Sequence, residues 1–187
     1  MLYPWYETIT NESPLEQGDI IQHCNLLVPD EDHYRAILAA TETSKPISIK
    51  QITGIVLSQS CDIVNDKIES LIICPLWPLQ ALIDNDSYFA SSKGREELRR
   101  GNAPAYHLLN KIQMSPETPI DYYFVDFHHI YSVPKSFISE ICKKDNRIRL
   151  LPPYREHLSQ SFARYFMRVG LPSDISSEEI KTYSSTK

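Results

Sequence analysis

Apolar and polar positions along this chain alternate in two rhythms, one of strands and one of helices. Gly18 opens GDIIQHCNLLVP, nearly continuous in apolar residues and ended by Pro29, which predicts a strand with both faces partly covered. In PISIKQITGIVLSQ (46–59), Ile47, Ile49 and Ile52 give way to a solidly apolar second half, with Gly54 marking a bend. SCDIVNDK follows as a polar turn with Asn65-Asp66 at its tip, and IESLIICPLWPL (68–79) is a third strand closed by Pro75 and Pro78. AYHLLNKIQM (105–114), the aromatic IDYYFVDFHHIYSV (120–133) and RIRLLP (147–152) predict further strands, the last with Arg147 and Arg149 outward and Ile148 and Leu150 inward.

Helical spacing appears in four places. The acidic loop 29–45 has room for a turn around Tyr34 to Ala40, and 80–103 predicts short surface helices, one over about 91–100. KSFISEICKK follows Pro134 with Phe137, Ile138 and Ile141 on one face. The clearest helix is PPYREHLSQSFARYFMRVG, which aligns Tyr154, Leu158, Phe162, Tyr165, Phe166 and Val169 and ends at Gly170 and Pro172. Residues 1–17 read as irregular. The expected organisation is one α+β domain over 1–172, a strongly bent antiparallel sheet with a helical insertion and a C-terminal amphipathic helix packed on it. The tail 173–187 is polar and expected to dock loosely, if at all.

A hydrophobic share of 42% and a charged share of 23% are ordinary for a globular protein, and 187 residues suit one domain. No apolar run approaches the roughly 20 residues of a membrane helix, and MLYPWYETITNESP lacks the basic and apolar parts of a secretory signal. The cytoplasm is the expected location, with no membrane partner. Cys24, Cys61, Cys74 and Cys142 form no C-x-x-C pair, so neither a disulfide framework nor a zinc site is expected, and no cofactor is implied. The net charge of −5 divides unevenly: −9 over 1–92, +5 over 93–168 and −1 beyond. The basic part, with Lys143, Lys144, Arg147, Arg149, Arg155, Arg164 and Arg168 near Tyr122, Tyr123, Phe124 and Tyr131, suits single-stranded nucleic acid if its cations share a face. The alternative is a solvated mixed-charge surface over core aromatics.

Ser58-Gln59-Ser60-Cys61-Asp62 is the most unusual polar cluster. It reads either as a site, with Cys61 a nucleophile or Asp62 a base, or as a turn with Asp62 capping local amides. His128 and His129 are expected to alternate across a strand, so that one at most faces a site, with a buried or edge histidine as the other reading, and His107 could approach either.

The order of elements resembles that of MazF/PemK-like proteins, small SH3-like barrels that mostly act as endoribonuclease toxins. GDII (18–21), GIVLSQS (54–60) with SLIICPL (70–76), and VDFHHIYSVPKS (125–136) carry the likeness, over about two-thirds of the chain with the closing helix. In active members an arginine-proline step precedes the second strand and a hydroxyl residue follows the third strand's proline. Here Gln51, Ile52 and Thr53 stand at the first place and Trp77 at the second. Metal-free RNA cleavage needs a base for the 2′-hydroxyl and a cation or fixed donors for the phosphate, and neither matched position supplies one. The resemblance therefore implies a module with a degenerate ribonuclease site that binds single-stranded RNA or a protein partner, antitoxin-like or regulatory, in a toxin–antitoxin or phage-defence setting. It also makes a homodimer one expected assembly. The alternatives are an active endoribonuclease with a relocated site built from Arg35, Ser60, Cys61, Asp62 and a histidine, and a small thiol enzyme using Cys61. The nucleic-acid contacts expected in the first case are Arg147, Arg149, Arg164 and Arg168.

Overall fold

The computed structural model describes residues 3–42, 45–167 and Glu178. In chain order these form β1 (Tyr6–Ile9), β2 (Asp19–Val28), α1 (Glu31–Leu38), β3 (Ser48–Val56), α2 (Ser60–Val64), β4 (Ser70–Pro78), α3 (Leu79–Asn85), α4 (Ser87–Ala90), α5 (Ser92–Arg99), β5 (Tyr106–Ile112), β6 (Asp121–Asp126), β7 (Tyr131–Pro134), α6 (Lys135–Cys142), β8 (Arg147–Leu150) and α7 (Tyr154–Phe166). The strands make one antiparallel sheet in the order β1-β8-β2-β3-β4-β6-β5, with β7 also paired to β4. The sheet is open, so the architecture is α+β without a closed barrel.

Two features bend the sheet. β4 changes partner along its length: Ser70 to Ile73 pair with β7, and Leu76 to Pro78 pair with β6. Gly54 faces Pro75 across the β3–β4 ladder, and a Cβ there would sit 2.5 Å from Ile73 Cγ2. Glycine leaves the Ile73 side chain room to pack over the β3 backbone at this point.

One apolar cluster lies between β2, β3, β4 and α6, with Ile21, Ile52, Leu71, Ile73 and Ile138 at its centre. A second, around Ile20, Ile55, Leu109, Val125 and Phe127, is covered by α7 through Leu158, Tyr154, Phe162 and Tyr165. α7 is thus the expected C-terminal helix with its apolar stripe turned to the sheet, although Phe166 is left exposed. Val169, Gly170 and Pro172, which mark its expected end, and the tail 173–187 lie outside the described residues. Trp5 stacks on Tyr154 at 3.6 Å between ring centres and holds the first residues against α7.

β1 was not expected, because YETI carries only one buried apolar residue. It forms because β8 offers it an edge, pairing Tyr6 with Leu150 through to Ile9 with Arg147.

Arg147 and Arg149 depart from expectation. They do not face outward from β8: Arg147 is 4% exposed and Arg149 7%. Both bond the fully buried Asp19 of β2, with Arg147 Nε 2.7 Å from Oδ2 and Arg149 Nε 2.5 Å from Oδ1. Their remaining donors reach the carbonyls of Thr10, Ser13 and Pro14. Alternation along RIRL places the arginines correctly on one face, but residues 10–16 cover that face. A buried carboxylate with two guanidiniums replaces the water that alternation assumes.

β2 and β3 continue beyond the rest of the sheet. β8 pairs with β2 only at Asp19 and Ile20, and β4 pairs with β3 only from Gly54 onward. Cys24–Val28 and Ser48–Ile52 therefore pair only with each other among the described residues, forming a two-stranded arm that ends in α1. The arm leaves the sheet at a bulge between Ile21 and Cys24, where His23 takes a left-handed φ of 53°.

Candidate functional site

The place matched by the resemblance lies where β3 and β4 meet. Ile52 is 3% exposed and points into the core, so the position of the family's arginine-proline step holds a packing residue. Gln51 is exposed and donates to Asn25 Oδ1 at 3.2 Å across the ladder. Trp77 is half-buried at the end of β4, with Lys50 Nζ 5.7 Å from its ring centre. That spacing is a cation–π contact. It sets a cation against a ring and supplies no base.

The polar cluster after β3 is largely occupied by its own neighbours. Ser58 Oγ accepts from Ile72 N at 2.8 Å, and Ser60 Oγ accepts from Gln17 N at 3.1 Å. Gln17 also donates to Leu57 O and to Ser159 Oγ, tying this corner to α7. Cys61 is exposed, and its thiol points at Asp62 Oδ1, 3.7 Å away. Asp62 has Lys67 Nζ at 3.8 Å. A nucleophilic cysteine needs an electropositive neighbourhood, whereas the Cys61 thiol donates to a carboxylate. Arg35 lies on α1, 70% exposed and paired with Glu31 at 2.6 Å, and takes no part in the bonds of Ser60, Cys61 or Asp62. The structure therefore brings Ser60, Cys61 and Asp62 together on α2 and leaves Arg35 elsewhere.

The histidines fall into two separate places. His128 and His129 do not alternate across a strand, because β6 ends at Asp126 and period-two alternation ends with it. Both rings turn back to the Asp126 carboxylate, His128 Nδ1 at 2.9 Å from Oδ1 and His129 Nδ1 at 2.8 Å from Oδ2, and the His128 amide also donates to Oδ1. Tyr106 and Tyr165 lie edge-on to His128 at 5.2 and 6.1 Å. His107 points to the other face of β5 and meets His157 of α7, ring centres 5.1 Å apart. Burial, and to a smaller degree the His157 charge, push His107 down to about 3. The three histidines of the sequence expectation thus do not converge.

No group of three or more His, Cys, Asp and Glu among the described residues is arranged to hold a metal ion. No helix among them is long and apolar enough to cross a membrane. Of the expected nucleic-acid contacts, Arg147 and Arg149 are spent on Asp19, Arg164 is exposed on α7, and Arg168 lies outside the described residues.

Comparison with family models, curated proteins and solved structures returns no match.

What the sequence did not reveal is the polarity of α1. Its only buried residue is His33, which meets Asp30 through Nδ1 at 2.6 Å and Lys45 O through Nε2 at 2.9 Å. Asp30 caps the helix through the amides of Asp32 and His33, and Lys45 pairs with Asp30 and Asp32. The Lys45 ammonium first, and His33 with it, hold the Asp30 carboxyl well below its usual range. This polar underside fixes the rotation of the helix. Tyr34, Ile37 and Leu38 consequently face water, at 57, 74 and 87% exposure. Leu27 and Ile49, register partners on the arm below, are each 70% exposed. A helix that buries its histidine and exposes its apolar residues is inverted relative to a helix packed on its own core.

Proposed function

We propose that this chain is a MazF-like module whose matched ribonuclease site is degenerate and which acts by binding a protein partner through the β2–α1–β3 arm. The observation that carries the reading is the exposure of Tyr34, Ile37 and Leu38 on α1, at the end of an arm that also exposes the register partners Leu27 and Ile49. Exposed apolar groups gathered in one patch mark interaction surfaces, whereas isolated ones do not. Protein is favoured over RNA because two of the four arginines expected to contact phosphates are consumed by Asp19. Cleavage is disfavoured because Ile52 and Trp77 supply neither a base nor a free cation.

The test has two arms. Purified protein incubated with single-stranded RNA in EDTA is expected to leave it intact, and specific cleavage would overturn the reading. A photo-crosslinking residue at position 38, introduced in the native host, is expected to give a discrete protein adduct that disappears in Ile37→Asp. Adducts to RNA alone would replace the protein reading with an RNA-binding one.

A further inference from the structure

The apolar face of α1 has a counterpart elsewhere on the molecule. α5 and the β5–β6 hairpin enclose a groove of about 270 Å³. Leu79, Leu98, Leu108 and Tyr122 line it together with Ser92, Arg95, Glu96 and Arg99, and Glu96 pairs with both Arg99 and Arg100. α5 carries Lys93, Arg95 and Arg99, with Arg100 just past its end, against Glu96 and Glu97. Lys111 adds a further cation on β5, 5.3 Å from the Tyr122 ring centre. Tyr122 and Ile120 are exposed beside it. The groove therefore has an apolar floor and an edge on which cations outnumber carboxylates.

α1 carries the opposite charge. Glu31 and Asp32 occupy its first turn, Asp30 caps it and Glu42 follows it; Arg35 pairs with Glu31 and Lys45 with Asp30 and Asp32, so four carboxylates stand against two cations over residues 30–45. Its exposed Tyr34, Ile37 and Leu38 are spaced i, i+3 and i+4, the set that a short amphipathic helix uses to enter a groove. The charge asymmetry of the chain, acidic before residue 93 and basic after it, runs the same way.

We infer that the occupant of the α5 groove is α1 of a second copy of this chain, its Tyr34, Ile37 and Leu38 seated among Leu79, Leu98, Leu108 and Tyr122. The inference rests on the reading that the arm binds protein, and it names the partner. Exchanged in both directions, the contact closes a two-fold dimer and leaves no unpaired arm. Its acidic and basic rims steer the two copies together, and added salt screens that attraction.

Sedimentation velocity over a range of protein concentrations and salt tests this. The wild-type chain is expected to dimerise, more weakly as salt rises. Two variants are expected to be monomeric and to melt like wild type: Ile37→Asp/Leu38→Asp, which breaks the helix face, and Lys93→Glu/Arg99→Glu, which reverses two cations of α5, Arg99 being the one at the groove rim. Each retains the half that the other lacks, so mixing them is expected to restore a heterodimer. A monomeric wild-type chain, or variants that form no complex on mixing, would overturn the inference. Dimerisation lost in the α1 variant but unaffected by groove reversal would also overturn it, while leaving the arm as a protein-binding element.

Discussion

Lowering the pH from 7 to 5 is expected to weaken the fold through His107. The ring is 6% exposed on β5 under α7, and burial, with a smaller contribution from His157, brings its pKa from 6.5 down to about 3. Between these two values the unfolded chain binds a proton that the folded chain refuses, so stability rises with pH across the window. Its contribution is complete above the unfolded value and is lost progressively as pH falls below it. Integrating from pH 7 to pH 5 gives a loss of about 2 kcal/mol from this one group. For a chain of this length that corresponds to a fall in melting temperature of about 4–8 °C. Carboxylates contribute little in this interval because their unfolded-state values lie at about 4; the stability that Glu96, Asp30 and Asp66 supply through their lowered values is lost mainly below pH 5. Urea titrations at pH 7, 6 and 5, on wild type and His107→Leu, isolate the effect from the other histidines. The variant is expected to lose about 2 kcal/mol less than wild type over the interval. Equal losses would show that His107 is not held neutral between β5 and α7, and the argument would fail.

The buried network at β8 and the turn before β2 give two further expectations. Asp19→Asn leaves Arg147 and Arg149 without their buried counter-charge and should cost about 3–5 kcal/mol by denaturant unfolding; a loss near zero would mean that water reaches the pair. Gly18→Ala forces a φ of +85° on a residue with a Cβ, and places that atom 2.8 Å from Leu150 O. It should cost about 1–3 kcal/mol in the same assay, and a neutral result would place Gly18 outside the left-handed region.

How much of this was legible in the sequence depended on what decided each element. The strands from Gly18 onward, the helix near 91–100 and α7 follow from apolar period, and period is a property of the segment itself. β1 was hidden because YETI forms a strand only on the edge that β8 presents. Arg147 and Arg149 were placed on the correct common face but assigned to water, because alternation does not say what covers a face; residues 10–16 do so from far away in sequence. His128 and His129 were set apart by assuming that the strand continued past Asp126, when a single carboxylate gathers both. Of the candidate site, the adjacency of Ser60, Cys61 and Asp62 was readable. Arg35 read either as a relocated catalytic cation or as a solvated loop charge, and the structure has it exposed and paired with Glu31.

α1 carries the same lesson into function. Eight residues with Tyr34, Ile37 and Leu38 among them would, on amphipathicity alone, be packed inward. Three polar interactions prevent that: the Asp30 cap, the bond of His33 to Lys45 O and the ion pairs of Lys45 with Asp30 and Asp32. Each fixes the same rotation, so the outward apolar face is a consequence of specific bonds and not of loose packing. An isolated chain gains nothing from holding three large apolar side chains in water, because their burial is the main favourable term available to it. The arrangement becomes favourable once a second surface covers them. Bonds that turn α1 over therefore stabilise an interface more than they stabilise the monomer, and replacing His33 should weaken association before it weakens the fold.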